Sequence, residues 1–170
     1  MPRVTLDQVR ILTLEYNTLI FCTMIESSKI IRAGLAGTTV MTVFSYYLSE
    51  KTRQNFKEPD LLARWIIKKS PRLGRVGAHI SGWMIHYLVG IFFAAIYKRL
   101  YKNKCIKRSL PVYAITGAIT GVVAVFGWKA LFLSHPGSLV VNRKNFYGQL
   151  IIAHAVFGTV TIYVLDNNGM

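Results

Sequence analysis

The sequence predicts an all-α membrane protein: a four-helix bundle built from two similar transmembrane hairpins, with a short interfacial helix between the first and second spans. Three observations predict it. Four apolar blocks recur, each near the ~20 residues a helix needs to cross a hydrocarbon core. Apolar residues make up 52 % of the 170 residues and charged residues only 16 %, and the charges lie between the blocks. Two blocks also carry the same element, a histidine with a glycine four residues on: His86-Tyr-Leu-Val-Gly90 and His154-Ala-Val-Phe-Gly158.

Residues 1–29 read as an N-terminal arm. Thr5 and Gln8 have capping-box spacing, and Leu6, Val9, Leu12, Tyr16 and Leu19 recur near helical period. Met24 opens a stretch that leads directly into the first span, so the first 23 residues read equally well as an upstream extension. Span one covers 30–48 and ends in Tyr46-Tyr47, where interfacial tyrosine is favoured. The connection that follows contains Glu58-Pro59-Asp60, an acidic and proline-bearing helix start. Leu61, Leu62, Trp65 and Ile66 share one face of that helix, Arg64, Lys68 and Lys69 the other, and Pro71 ends it. Such a helix suits the membrane interface or the end of a bundle. Spans two, three and four cover 80–97, 110–133 and 146–165, and residues 167–170 are a tail. Pro111 falls at the start of span three, where its missing N–H costs nothing.

The first and third spans carry small-x-x-x-small patterns, Ala33-x-x-x-Gly37 and Gly117-x-x-x-Gly121, which let helix backbones approach closely. Ala33, Gly34, Gly37, Gly90, Gly117, Gly121 and Gly158 are therefore the expected helix-packing residues. The histidine elements align without a gap, so residues 30–100 and 110–166 read as a parallel duplication. His86 and His154, each about seven residues into its span, are expected at one depth, about 10 Å from the side of the first and third loops at ~1.5 Å per residue. Lys129 is expected to enter from that side. On these residues the chain resembles small uncharacterised bacterial four-span membrane families with glycine-rich odd spans and an H-x-x-x-G element in the even spans. That resemblance covers about residues 24–166 and implies an architecture, with no assigned activity.

Several function classes are excluded. The formal charge of +14 is clustered in loops, not laid out as a stripe interleaved with aromatics, so it fits anionic lipid headgroups better than nucleic acid. Cys22 and Cys105 form no spaced motif, and His79 with His86 lacks a third ligand, so no metal site is expected. His135 reads as a solvated turn residue. There is no nucleophile motif, carboxylate pair, phosphate loop or HExxH, so no ordinary enzyme is expected.

Intramembrane polar groups point to function or to interhelical bonding. The intramembrane candidates are His86, His154 and Lys129. The expectation is a structural or assembly component of the membrane, able to dimerise or to dock on another membrane protein. A small-solute, anion or proton path through those residues with Thr39, Thr116 and Thr120 is the alternative. A haem b electron-transfer subunit held by His86 and His154 is the second, and otherwise no cofactor is expected. Ten basic residues fall on each side of the four spans. The six in Lys98–Arg108 lie nearest the membrane, which favours cytoplasmic termini in a bacterial inner membrane.

Overall fold

A computed structural model describes residues 6–102, 108–134 and 142–167, with side chains described from Met24 onward except at Lys102. Among these the chain is helical throughout: α1 Leu6–Thr52, α2 Glu58–Lys69, a 3-10 turn Pro71–Leu73, α3 Gly74–Lys102, α4 Leu110–Ser134 and α5 Arg143–Asn167. Three stretches are long and apolar enough to cross a membrane: Pro71–Tyr101, Leu110–Ser134 and Arg143–Asn167. Cys105, His135 and the last three residues lie outside the described residues, as does the side chain of Cys22.

The helices start earlier or run longer than hydropathy alone suggests. Residues 1–29 were expected as an N-terminal arm, partly helical or not native; α1 runs without a break from Leu6 to Thr52. No glycine or proline lies between Leu6 and Arg32 to stop it. α1 ends where Arg53 takes a left-handed conformation with φ of 54°. The chain then folds back, and the Phe56 N–H donates to the Ser49 hydroxyl at 2.9 Å.

α1 is not among those three apolar stretches, and four of its hydroxyl residues face inward. Thr38, Thr42, Ser45 and Ser49, spaced by four, three and four, are all buried. Val40, Val43 and Tyr47 of the same helix are exposed. Several of the hydroxyls are satisfied locally, Thr42 donating to the Thr38 carbonyl and Ser49 to the Ser45 carbonyl, each at 2.7 Å. Exposed apolar side chains continue around the molecule: Ile80, Met84, Leu88 and Phe92 on α3, and Ile115, Ile119, Val122 and Phe126 on α4. A belt of this extent is the surface that lipid, not water, covers.

α1 packs on α3 and α5, α4 packs on α5, and α2 packs on α3. The neighbours are antiparallel, with small residues at the contacts. A Cβ on Gly34 would lie 2.6 Å from the Ile91 Cα. One on Gly90 or Gly37 would collide with the Thr38 or Thr161 hydroxyl. Gly117 and Gly158 face each other across α4 and α5, and a Cβ on Gly121 would lie 2.8 Å from the Ile151 Cα. Ala33 is fully buried. Gly82, which the sequence pattern does not single out, seats α2: a Cβ there would meet the Pro59 carbonyl at 2.6 Å.

α3 and α4 do not pack along each other. Long side chains bridge them at the end where α3 finishes. Tyr97 and Thr120 hydroxyls are 2.7 Å apart, those of Tyr101 and Thr116 3.0 Å apart, and the Tyr101 and Tyr113 rings pack at 5.7 Å. At the opposite end Trp65 of α2 donates its Nε1–H to Ser134 of α4 at 3.0 Å.

The glycine contacts give a direct test. Gly117→Ile forces α4 away from the α5 backbone and should lower the thermal midpoint in detergent steeply, a loss of ~2 kcal/mol or more. Gly127→Ala meets nothing within 4 Å and should leave the midpoint unchanged or raise it by the equivalent of ~0.5–1 kcal/mol.

Candidate functional site

The space between α3 and α4 is a cavity of about 460 Å³, within the range that takes a small organic molecule. Ile85, Val89 and Phe93 of α3 form one wall, and Val123, Gly127 and Leu131 of α4 the other. Ile85, Val89 and Val123 are also 40 %, 45 % and 54 % exposed, so the cavity opens sideways between the two helices. α1 and α5 form its base, and Leu62 and Trp65 of α2 close one end.

Both histidines line this cavity, and both are buried. They lie further along their helices than the seven residues expected, because those helices begin earlier. His86 is twelve residues past Gly74 and His154 eleven past Arg143, or ~18 and ~17 Å along the axis, close to the middle of each helix. Their tautomers follow from their partners. The Thr42 hydroxyl spends its proton on the Thr38 carbonyl, so at 2.9 Å it accepts from His86 Nε2–H. The Leu150 carbonyl only accepts, so at 2.8 Å it takes the proton of His154 Nδ1–H. The second nitrogen of each neutral ring, His86 Nδ1 and His154 Nε2, is then an acceptor without a partner among the described residues.

The sequence pattern gives no sign of the third polar group. Glu58, at the first position of α2, is 1 % exposed and lines the same cavity. Its Oε1 accepts from the Ser45 hydroxyl at 3.0 Å, and Ser45 accepts from Gln149 Nε2 at 2.8 Å. This chain joins α2, α1 and α5. Glu58 Oε2 and Gln149 Oε1 remain unpaired among the described residues. The cluster is one donor short, and a proton on Glu58 supplies it. Burial pushes the Glu58 carboxyl up to about 7, and its own backbone N–H, the Ser45 hydroxyl and the nearby Gln149 side chain offset only part of that. The signal that could have found Glu58 is the isolated Glu-Pro pair opening an apolar helix face; it reads equally well as a helix start.

α2 had been expected to lie along the interface or cap the bundle. Its face is as expected, with Leu61, Ala63 and Ile66 buried and Arg64, Lys68 and Lys69 exposed. Its first turn, however, is drawn between α1, α3 and α5. Lys129 takes no part in the cavity. It is exposed on α4, with its ammonium 5.6 Å from the Phe126 ring centre and 5.8 Å from that of Tyr147. Thr116 and Thr120 serve the tyrosine bridges, and Thr39 bonds Tyr87 at 3.1 Å. Among the described residues no three histidine, cysteine or acidic side chains gather as a metal would require.

Comparison with protein-family models, with curated proteins and with solved structures gives no match. The cavity's chemistry therefore stands on its own residues.

Glu58 makes stability depend on pH in a defined direction. A folded-state value of about 7 against an ordinary 4.5 means the folded chain holds the proton more tightly. Stability is then greatest below about pH 4.5, falls as pH rises, and levels off above about 7, a total loss of roughly 3 kcal/mol. Glu58→Gln should flatten this part of the profile, read as the thermal midpoint in detergent from about pH 5 to 8.

Proposed function

We propose that this chain is a four-span integral membrane protein that takes a small molecule into its bundle, of the solute transporter or channel class. α1 is the fourth span in this reading. What supports that is its reversed polarity: hydroxyls inward, Val40 and Val43 outward. A water-facing helix has the opposite pattern. The observation that carries the functional reading is the convergence of His86, His154 and Glu58, from three different helices, on one laterally open cavity.

A scaffold needs no such space. Bundles whose only task is packing fill their interiors, and an orphaned buried carboxyl is costly there. The polar groups here surround an open volume instead, as in a site that binds a guest at membrane depth. The acidic group that cation or proton coupling requires is supplied by the connecting helix α2. An anion path is disfavoured, because among the described residues no lysine or arginine lines the cavity in a chain of net charge +14. The basic residues near the membrane surface support cytoplasmic termini and contact with anionic headgroups.

Reconstitution tests the reading. Proteoliposomes containing the full chain should pass protons or a small organic solute faster than empty vesicles, and Val89→Trp, which fills the cavity from α3, should abolish the difference. Flux equal to that of empty vesicles, together with a tightly co-purifying membrane partner, would return the chain to an assembly role. A Soret band lost in both His86→Ala and His154→Ala would replace the reading with haem binding.

A further inference from the structure

Among the described residues the cavity contains hydrogen-bond acceptors and no fixed cation. The titratable side chains lining it are Glu58, His86 and His154. Among the described residues, three acceptor atoms on its lining lack partners, Glu58 Oε2, His86 Nδ1 and His154 Nε2, as does the Thr38 hydroxyl; the unpaired Gln149 Oε1 belongs to a residue beside Glu58 and outside the lining. Aromatic rings also line it: Trp128 on α4, Phe93 on α3, and Phe157 on α5, whose ring lies 6.2 Å from that of His154. The remaining walls are aliphatic and open toward the surrounding lipid.

We propose that the ligand is an apolar organic cation, an amine or ammonium on a hydrophobic body, which enters sideways between α3 and α4 and displaces the proton of Glu58. The inference rests on reading the cavity as a membrane ligand site and adds the ligand's chemistry.

A cation inside a bundle needs a counter-charge, because an unpaired charge away from water is among the costliest things to bury. Glu58 provides one by releasing one proton as one monovalent cation binds. The cavity's net charge is then the same before and after, and the Ser45 hydroxyl continues to donate to the carboxylate. An N–H of an ammonium ligand pairs with acceptors that have none, and the aromatic faces add cation–π attraction. A bare metal ion would find two imidazoles and one carboxylate in an apolar chamber, with no group of three gathered as ligands among the described residues. An anion would find no positive partner.

Exchange near neutral pH is set by the groups facing Glu58. α1 presents Ser45 and Tyr46, α5 presents Gln149 and His154, α3 presents His86, and α2 itself carries Asp60, whose carboxylate lies 3.7 Å from His79. α4 brings no charged group to the cavity. None of these is a fixed cation that would hold Glu58 ionised at low pH, and burial keeps its proton on up to about 7.

Benzyltrimethylammonium and neopentylbenzene, which has carbon in place of nitrogen, form a matched pair that differs in charge. Binding to the purified full chain in detergent is read by tryptophan fluorescence, since Trp65 and Trp128 line the cavity. Proton release is read with a dye in weak buffer. The cation should bind saturably, ~30-fold tighter at about pH 8.5 than at about pH 5.5, and should release about half a proton per molecule bound at about pH 7, rising toward one at about pH 6. Glu58→Gln should remove both the pH dependence and the release, and Val89→Trp should abolish binding. The proton count on the unaltered chain decides the matter even if Glu58→Gln fails to fold. Equal binding of the two probes without proton release would overturn the cation inference and leave the cavity reading standing. Binding of neither probe would overturn both, and cation binding that survives Val89→Trp would place the site elsewhere.

Discussion

One buried hydroxyl holds this architecture together. Ser45 accepts from Gln149 and donates to Glu58, so α5, α1 and α2 meet at a single oxygen. Without that meeting point α2 would be held against α3 by its apolar face, the Gly82 contact and the Asp60–His79 pair. With it, the first turn of a connecting segment becomes part of the interior, and a carboxyl is placed where the spans themselves supply none. In a low-dielectric surrounding a polar contact of this kind gains strength, and each group left unpaired beside it costs more. The arrangement is stable to the extent that Glu58 keeps its proton or gains a partner.

The placement of α2 also explains why a cavity exists. α1 and α5 lie along each other at the centre of the bundle, and the other two long helices flank them. A symmetric assembly of two hairpins would bring α3 and α4 together in the same way. α2 occupies part of that contact on the side where α3 begins, and Tyr97 and Tyr101 span the gap at the other end. The cavity is what remains between the two.

Much of the fold was legible in the sequence, for identifiable reasons. Continuous apolar runs locate α3, α4 and α5, since nothing else keeps a run that long free of charge. Glycine spacing anticipates where backbones meet, as at Gly34, Gly90, Gly117 and Gly158, because only glycine permits that approach. The histidine pair is visible because imidazole is conspicuous in an apolar stretch. Other features were hidden. The buried stripe of Thr38, Thr42, Ser45 and Ser49 on α1 is one, since average hydropathy does not show which face a residue takes. Lys129 looks intramembrane by its position yet faces outward over aromatic rings, a choice of helix face that only the packing of α4 on α5 decides. Glu58 lay outside every span and so gave no hint that tertiary structure would bring it inside.

The tyrosine bridges at one end and the Trp65–Ser134 bond at the other leave the chamber a side entrance and no straight axial one. For an occupant arriving that way, the reservoir is the hydrocarbon of the bilayer. Occupancy then follows the mole fraction dissolved among acyl chains, and a compound scarce in the bathing solution can still saturate the protein if it partitions well. Headgroup composition and lipid-to-protein ratio become thermodynamic variables of binding, on the same footing as temperature.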